Sequence, residues 1–462
     1  MHPITRIPRR HMRFRILLVA ALAAGLVAGC GPDGPAPIAL VGATVIDGSG
    51  GEPIRNATII VRDGHIEAIG ARDEVDLPRG AEEIDVSGRY IIPGLIDAHA
   101  HTARWTLPRY LAYGVTSVRD VHGTSDSVHA VRDGALLGTF RSPRVYIAGS
   151  MLDAAPSTYE DAMAVTTPAD ARRAVDQLTV SGVDFVKGYT RMTPPMIEAT
   201  VSEARTFRLP VAVHLGLTDA VTASALGVAS IEHLSGVPEA ALADPAQLYA
   251  AHRAGFFSGW TRFERSWADL DSTALATVAR TLAERKIVLV PTLVLHEFFS
   301  RPYDPDVARN PDLAAVPAVE QARWNVPGMI ARAGWTDDDF LAFRRARPRQ
   351  DLFLRLFRNA GGTIAAGTDA ANQLLVPGAS LHTELELLVR AGVPPEEAIL
   401  AATRNVARLL RADSLGQLAA GKVADLVVLR GNPLQSIANT RNIDRVMVRG
   451  VMLAPDSVRS GW

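Results

Sequence analysis

The feature that most constrains the fold of this chain is an alternation of short apolar segments with helix-forming stretches across residues 93–412. Eight of the apolar segments have the length of buried strands, at residues 94–98, 117–119, 144–148, 185–187, 211–213, 230–232, 288–291 and 363–366. Strands separated by helices pair in parallel, because each helix returns the chain to the end of the sheet where it started. Eight such units predict an α/β fold built on a (β/α)8 TIM-like barrel over residues 93–412.

The two ends of the chain differ from this middle, because they contain short β-branched strands separated by tight turns. Residues 38–92 contain Asp47-Gly48 and Asp63-Gly64, and Asp-Gly between β-branched runs predicts a hairpin. Residues 413–462 repeat this character in two further apolar segments, at 425–429 and 445–448. We therefore expect both ends of the chain to meet in one small β-sandwich.

Residues 1–29 have the order of a secretory signal peptide, in which a basic start precedes an apolar run. The apolar run is shorter than the roughly 18 residues that a membrane-spanning helix needs. It ends in Leu26-Val27-Ala28-Gly29-Cys30, which resembles a bacterial lipobox, and Cys30 is the only cysteine of the chain. The resemblance implies a lipid anchor at Cys30, followed by a tether over residues 30–37. The protein would then lie on a membrane of the bacterial cell envelope, facing the periplasm or the cell surface. The alternatives are an ordinary signal peptide with an incidental cysteine and a fortuitously apolar N-terminus.

The cysteine count and the charge balance of the chain exclude several kinds of metal site and of binding partner. One cysteine cannot form an internal disulfide, a cysteine-rich zinc site or an iron–sulfur cluster. The 48 Lys and Arg residues balance the 49 Asp and Glu residues, which removes any overall attraction to nucleic acid. We therefore expect a small-molecule substrate and no nucleic-acid partner, and the sequence leaves the oligomeric state open.

Histidines lie at the carboxyl ends of three predicted strands. His99 and His101 are two residues apart, and side chains at such positions of a strand point the same way. His214 and His233 each follow an apolar strand by one residue, at the level where barrel enzymes place their catalytic groups. Asp369, after the last strand, adds the carboxylate that a hydrolytic divalent metal site contains. Together these side chains predict a metal site at the barrel mouth.

Lys187 ends the fourth predicted strand and is expected to face the same mouth. Its ammonium form would be repelled by two metal cations. Reaction of its amine with carbon dioxide gives a carbamate, an anion whose two oxygens can bridge two metals.

This combination of residues resembles the amidohydrolase superfamily, in the group related to imidazolonepropionase and to metal-dependent Xaa-Pro dipeptidases. The resemblance covers residues 38–453 and includes the runs Gly114–Asp120 and Gly421–Val427. It implies two divalent metal ions, for which these ligands suit zinc, with manganese, cobalt or nickel as alternatives. The implied ligands are His99, His101 and Asp369 for the first metal, His214 and His233 for the second, and N6-carboxylated Lys187 as the bridge. Imidazolonepropionase is mononuclear and lacks the lysine, so Lys187 favours the dipeptidase-like branch.

The activity that the resemblance implies is hydrolysis of a C–N bond in a dipeptide or N-acyl amino acid. Two divalent cations lower the pKa of a bridging water from about 15.7 toward about 7, which supplies hydroxide at neutral pH. Asp369 is placed to take the proton and pass it to the leaving nitrogen. Tyr189 is a candidate donor to the developing oxyanion, and His122 is a candidate substrate contact. The alternatives are lactone, ester or phosphotriester hydrolysis at the same site, or a non-catalytic binding lipoprotein.

Several residues near these motifs are assigned weaker or structural roles. His296, after the seventh strand, is a weaker candidate for a substrate contact, whereas His382 is expected on a solvated helix face. Glu232 neighbours His233 on a strand and is expected to point the opposite way. Most arginines of 341–358 are expected on a charged helix face, with a pairing of one of them with a substrate carboxylate as the alternative. Substrate specificity is expected from the loops 102–109, 151–168, 189–195 and 296–360, the last of which should carry extra helices over the mouth.

Overall fold

A computed structural model describes residues 35–462. The predicted signal peptide, Cys30 and residues 30–34 of the predicted tether lie outside the described residues. The strands are β1 Ile38–Val45, β2 Ile54–Arg62, β3 His65–Ala71, β4 Glu82–Asp85, β5 Tyr90–Pro93, β6 Leu95–Ala100, β7 Val115–Asp120, β8 Arg144–Ile147, β9 Leu152–Ala154, β10 Met163–Val165, β11 Val186–Gly188, β12 Val211–Val213, β13 Ser230–Glu232, β14 Val288–Val290, β15 Thr363–Ile364, β16 Leu426–Leu429, β17 Ile443–Val448 and β18 Val451–Leu453.

Helices fill most of the intervals between the strands of the middle region. They are α1 Thr106–Ala112, α2 Ser125–Leu136, α3 Pro168–Ser181, α4 Pro194–Thr206, α5 Ala220–Leu226, α6 Val237–Ala241, α7 Ala246–Ala254, α8 Phe256–Ser266, α9 Ser272–Glu284, α10 Leu293–Ser300, α11 Pro305–Ala308, α12 Ala318–Arg323, α13 Val326–Ala333, α14 Asp337–Asn359, α15 Ala379–Arg390, α16 Pro395–Ala401, α17 Arg404–Leu409 and α18 Pro455–Arg459. None of the helices in this described part has both the length and the hydropathy of a membrane span.

Strands from both ends of the chain form one eight-stranded sheet in the order β18-β17-β16-β5-β1-β2-β3, with β4 paired to β1. Strand β16 pairs antiparallel with β5 on one side and with β17 on the other, so the last strands of the chain extend the sheet that the first strands begin. The predicted turn Asp63-Gly64 joins β2 to β3, and both residues have positive φ, at 50° and 77°. The two ends therefore meet as predicted, but their strands pair in one sheet, whereas a β-sandwich was predicted.

Each of the eight strands predicted in the middle of the chain is present, and all of them pair in parallel. They lie in two sheets, a three-stranded sheet β6-β7-β8 and a seven-stranded sheet β10-β9-β11-β12-β13-β14-β15. A bridge between Ala100 and Ala370 joins the sheets on one side, and a hydrogen bond from the Asp184 amide to the Ile147 carbonyl joins them on the other. The parallel α/β architecture is confirmed, whereas the strand ladder is not closed.

The opening in the ladder has a local cause. After β8 the backbone bends at Gly149, where φ is 68°, and the chain then forms β9. Strand β9 pairs with β11 through Leu152 and Gly188, in the place where a closed barrel would pair β8. The short strands β9 and β10 had no counterpart in the predicted pattern.

The segment between β14 and β15 contains the predicted extra helices, α10 to α14. Helix α14 begins at a capping box, in which Thr336 and Asp339 satisfy each other's backbone amides. Arg344, Arg345 and Arg355 of this helix are exposed, as predicted, whereas Arg347 is an exception, because it is buried and lies 3.2 Å from the Glu297 carboxylate. Helix α14 packs on α8, α9 and α10, so a face that would meet water in an isolated helix is covered here.

Candidate metal centre and substrate cavity

The carboxyl ends of the parallel strands bring the predicted ligands to one cavity of about 680 Å³. The ring centroids of His99 and His233 are 4.4 Å apart, and those of His214 and His233 are 4.6 Å apart. His101 lies 5.9 Å from His99 between centroids. Lys187 lines the same cavity. The four imidazoles from three strand ends therefore occupy one small volume.

Asp369 lies between two of these rings. Its Oδ1 is 2.9 Å from His101 Nε2 and 3.3 Å from His99 Nε2. Atoms of His99, His233 and Asp369 all lie within 4.8 Å of one another, which is a spacing that can hold a metal ion. Burial opposes ionisation of Asp369, but the neighbouring imidazoles of His99 and His101 hold its pKa well below the ordinary value. The carboxylate is therefore ionised and available as a ligand or as a proton acceptor.

Backbone geometry fixes this arrangement at two positions. His233 and Asp369 both have positive φ, at 59° and 66°, a conformation that costs free energy and is found mainly at functional sites. Gly367 approaches the first strand so closely that a Cβ there would lie 2.8 Å from His99 Cβ and 2.9 Å from the His99 amide nitrogen. Only glycine fits at residue 367, because any side chain would push the His99 strand away.

Three of the histidines have Nδ1 engaged by a neighbouring side chain or backbone carbonyl. The partners are Glu232 Oε2 for His99 at 2.7 Å, the His122 carbonyl for His101 at 3.1 Å and Thr292 Oγ1 for His233 at 2.7 Å. A neutral imidazole that donates through Nδ1 keeps a lone pair on Nε2. The hydrogen bonds thus orient Nε2 of each ring as the ligand atom, as is usual for metal-binding histidines.

Glu232 does not point away from the site, so that prediction is wrong. Its fully buried carboxylate contacts His99 Nδ1 and also lies 3.2 Å from Arg119 Nη1. The expectation assumed that His233 continues the alternation of β13, but the chain turns at His233 with positive φ, which lets both side chains face the ligand cluster. Burial alone would raise the pKa of Glu232. The positive charges of Arg119 and Lys187 have the larger effect and lower this pKa below its ordinary value, so the carboxylate stays ionised.

Lys187 lies in this cluster without a counter-charge in contact. Its side chain is buried, and its Nζ has no hydrogen-bond partner within residues 35–462. Burial is the main reason why the pKa of Lys187 is lowered to about 8, and nearby Arg119 lowers it further. An unpartnered buried amine is costly, so its position next to the imidazoles requires an explanation in terms of a ligand or a modification.

Two further predicted residues, Tyr189 and His122, line the cavity. The Tyr189 ring lies 4.9 Å from the His214 ring. Burial, followed by the neighbouring Tyr159 hydroxyl, raises the pKa of Tyr189 well above the ordinary value, so its hydroxyl remains a hydrogen-bond donor. His122 Nε2 lies 3.1 Å from Asp161 Oδ1, and burial lowers the pKa of His122 although Asp161 opposes this. Both side chains therefore lie where a substrate would meet them.

His296 and His382 do not reach the cavity. His296 is buried behind Trp260, with ring centroids 5.3 Å apart, and its Nδ1 lies 2.5 Å from Glu264 Oε1. The prediction of a solvated face is wrong for His382, which is buried with Nδ1 2.9 Å from Thr440 Oγ1. Helix α15 packs against α10 on one side and against residues 437–441 on the other, which leaves this face no access to solvent.

The sequence analysis missed the aromatic side of the cavity. Helix α8 contributes Phe256, Phe257 and Trp260, and residues after β14 contribute Phe299 and Trp335. The predicted specificity segments 151–168, 189–195 and 296–360 all supply lining residues, whereas 102–109 supplies none. A signal was present in the spacing of Phe256, Phe257 and Trp260, which places all three near one helix face.

Comparisons with known proteins identify the family of the chain. The amidohydrolase family model matches residues 90–453. An ochratoxinase of Aspergillus niger is 26% identical over 447 residues, covering 87% of this chain and 83% of the relative. An imidazolonepropionase of Chromobacterium violaceum is 27% identical over 392 residues, covering 80% of this chain and 84% of the relative.

A solved structure of a related protein has a similar fold. A protein of Bifidobacterium longum that is assigned as a prolidase superposes with a TM-score of 0.70 at 25% identity, covering 92% of this chain and 98% of the other. The family model alone spans well over half of the sequence, including every candidate ligand. The chain therefore belongs to the amidohydrolase family and is a hydrolase that acts on carbon–nitrogen bonds.

Proposed function

We propose that this protein is a metal-dependent hydrolase that cleaves the amide or peptide bond of a dipeptide or N-acyl amino acid. The observation that carries the proposal is the unpartnered, buried amine of Lys187 in one cavity with four imidazoles and the Asp369 carboxylate. Similarity to the Bifidobacterium longum protein assigned as a prolidase supports a substrate of dipeptide size.

The donor set fits divalent metal ions. Imidazole nitrogen and carboxylate oxygen are ligands that zinc accepts, and the rings of His99, His101 and His233 would bind it through Nε2 in their neutral form. For His101 a metal would have to displace a proton, because burial is outweighed by Asp369, which raises the pKa of His101 to about 9. In our proposal His99, His101 and Asp369 hold one ion, and His214 and His233 hold the other. Bound ions would supply Lewis acidity and a nucleophile at neutral pH.

Carboxylation of Lys187 accounts for its lack of a partner. The neutral amine attacks the carbon of carbon dioxide, an N–C bond forms as one C–O π pair moves onto oxygen, and the nitrogen releases its proton to water, which leaves an anionic carbamate. The lowered pKa of Lys187, about 8, supports this step because a larger fraction of the amine is neutral near pH 7 than for an exposed lysine. The carbamate would bridge the two ions and neutralise part of their charge.

The remaining steps fall to the side chains around the cluster. Asp369, kept ionised by the imidazoles of His99 and His101, accepts the proton of the attacking nucleophile and delivers it to the leaving nitrogen. The Tyr189 hydroxyl donates a hydrogen bond to the oxygen that becomes negative during attack. His122, which follows the end of β7, contacts the substrate.

Metal analysis tests the proposal directly. We expect two equivalents of divalent metal in reconstituted protein, and a carbamate carbon signal in its NMR spectrum after incubation with ¹³C-bicarbonate. Lys187→Ala should lose this signal and the second equivalent of metal, whereas Lys286→Ala, at an exposed lysine, should keep both. Fewer than one equivalent in the unaltered protein would favour a non-catalytic binding protein instead.

A substrate panel tests the bond that is cleaved. Dipeptides and N-acyl amino acids should be hydrolysed more efficiently than lactones and phosphotriesters. Robust turnover of lactones or phosphotriesters without any amide turnover would contradict the proposal, since the same nucleophile can attack those centres.

We also propose that the protein is lipid-anchored at Cys30 on a membrane of the bacterial cell envelope. The support is the sequence order of basic, apolar and small residues that ends at the single cysteine. Labelled fatty acid should be incorporated into the full chain and not into Cys30→Ser. Incorporation into both would contradict the assignment of Cys30.

A further inference from the structure

The first turn of helix α10 is capped by a side chain from another helix. Thr292 precedes α10, and a threonine at this position usually accepts a hydrogen bond from an amide of the first turn. Here the Thr292 side chain makes no such bond. Instead, Glu384 Oε2 from helix α15 accepts a hydrogen bond of 2.8 Å from the Val294 amide. Glu384 therefore serves a backbone group that Thr292 would otherwise serve.

The Thr292 hydroxyl has a different partner, the candidate ligand His233. Thr292 Oγ1 lies 2.7 Å from His233 Nδ1. The backbone of Thr292 is left-handed, with φ at 48° and ψ at 49°, a conformation that is rare for a β-branched residue. A residue that caps a helix normally has an extended backbone instead. Both the backbone and the hydroxyl of Thr292 are thus committed to His233 and not to α10.

Glu384 lies where a carboxyl group is costly. Its side chain is fully buried, and its Oε1 has no hydrogen-bond partner within residues 35–462. Burial raises the pKa of Glu384 to about 8, although the amides of Val294 and Leu293 oppose this shift. An apolar side chain of similar volume would fill this space without the cost, so the carboxyl group requires a role other than packing.

The contacts form a chain from α15 to the candidate metal centre. Glu384 holds the Val294 amide, Val294 is the second residue of α10, and Thr292, just before that helix, holds His233. Without Glu384 the Val294 amide would need another acceptor, and the Thr292 hydroxyl is the group that usually supplies it. A neutral imidazole that loses its Nδ1 partner can carry its proton on either nitrogen, and only the Nδ1–H form leaves Nε2 free for a metal.

We propose that Glu384 is a positioning residue for the candidate metal centre. By capping α10 it frees the Thr292 hydroxyl, which fixes the His233 ring with Nε2 toward the ion that His214 and His233 would hold. Glu384 does not line the cavity and touches neither the substrate nor the ion. This inference rests on the proposed metal binding and adds to it a residue from a helix outside the cavity.

The test compares zinc affinities of the full-length protein and its variants by competition with a chromogenic chelator. Glu384→Met removes the acceptor at similar volume, and the affinity for the more weakly held zinc ion should fall about tenfold. Glu384→Gln keeps a neutral acceptor at the same distance and should stay within about twofold of the unaltered protein. Glu384→Asp sets the acceptor back by one methylene and should lose about threefold, and it replaces Glu384→Met if that variant does not fold.

Asp271→Ala is the matched control for a loss of stability. The Asp271 side chain caps helix α9 through the Ala274 amide at 2.9 Å, and α9 does not line the cavity. Thermal unfolding should occur at a lower temperature in both Asp271→Ala and Glu384→Met, whereas zinc affinity should fall in Glu384→Met alone. Equal zinc affinity in Glu384→Met and in the unaltered protein would overturn the role of Glu384 and leave the hydrolase proposal standing.

A measurement on metal-free protein separates this inference from the proposed function. In protein labelled with ¹⁵N-histidine, the His233 signals are assigned by their absence in His233→Gln. His233 should carry its proton on Nδ1 alone in the unaltered protein and on either nitrogen in Glu384→Met. This difference, seen in protein that binds no divalent metal when it is reconstituted, would uphold the role of Glu384 and contradict the proposed function. The same tautomer of His233 in both proteins would overturn the positioning role.

Discussion

The two sides of the cavity are built in different ways. The floor, which consists of His99, His101, Lys187, His214, His233 and Asp369, lies at strand ends, and nearly all of it is buried. The wall, which consists of Phe256, Phe257, Trp260, Phe299 and Trp335, lies on helices or next to them, and part of it is exposed. Hydrogen bonds orient three histidines of the floor, whereas the wall is positioned mainly by packing, with one hydrogen bond from Trp335 Nε1 to Thr261 Oγ1. Chemistry should therefore depend on the floor, and choice of substrate on the wall.

The comparison is tested most severely by Asp369→Asn. We expect kcat to fall by about 10³-fold with metal content largely kept, because the amide can still act as a ligand but cannot accept a proton. Metal analysis and steady-state kinetics on one preparation check this. Asp76→Asn, at an exposed aspartate, is the control. A kcat that stays within a few-fold of the unaltered protein would remove Asp369 from proton transfer.

Tyr189→Phe tests the point where floor and wall meet. Loss of the hydroxyl should lower kcat by about 10²-fold with KM nearly unchanged, because the hydrogen bond strengthens only as the oxyanion forms. Tyr303→Phe, at an exposed tyrosine, serves as the control. If KM rises while kcat is kept, Tyr189 only packs against the substrate.

Glu232→Gln tests the support beneath the floor. The change removes the charge that orients His99 and that pairs with buried Arg119, and we expect metal affinity to fall by about tenfold or more. Competition with a chromogenic chelator measures this affinity. Thermal stability should fall as well, because Arg119 is left as an unpaired buried charge. Glu83→Gln, at an exposed glutamate, is the control and should change neither metal affinity nor thermal stability. Unchanged metal affinity in Glu232→Gln would show that Glu232 only stabilises the fold.

Phe256→Leu should have the smallest effect, and it tests the wall by itself. We expect KM for an aromatic substrate to rise about fivefold, with kcat and metal content kept, because only apolar contact area is lost. Phe207→Leu, at a half-exposed phenylalanine on α4's end, is the control. A large loss of kcat in Phe256→Leu would mean that wall and floor are not separable.

The difference between the floor and the wall of the cavity also explains which parts of the site the sequence could predict. Strand ends carry short local signals, so the alternation of His99 with His101 and the positions of His214, His233 and Asp369 were sufficient to bring these side chains to one cavity. Two of the predictions that failed, those for Glu232 and His382, have clear physical causes. Glu232 faces the site because of a positive φ at the next residue, and His382 is buried because helix α15 has neighbours on two sides. Neither backbone strain nor long-range packing is visible in local periodicity.

The wall was missed for a related reason. Residues of α8 are distant in sequence from the candidate ligands, and their aromatic pattern is equally compatible with an ordinary core-facing helix. Only the packing of α8 beside His214 shows that the same face borders the cavity. The bend at Gly149 that opens the strand ladder likewise gave no sign in the strand pattern.

The shared sheet has a consequence for the order in which the protein matures during synthesis. Strand β5 pairs with β16, with Ile92 opposite Val427, and the chain passes from β5 directly into β6, which carries His99. Until residues 426–429 have left the ribosome, one edge of β5 has no partner. Strand β5, which leads into the strand that carries the first histidines, is then paired only with β1. The fold thus couples completion of translation to assembly of the catalytic pocket, so that a nascent or prematurely terminated chain lacks a properly supported active centre.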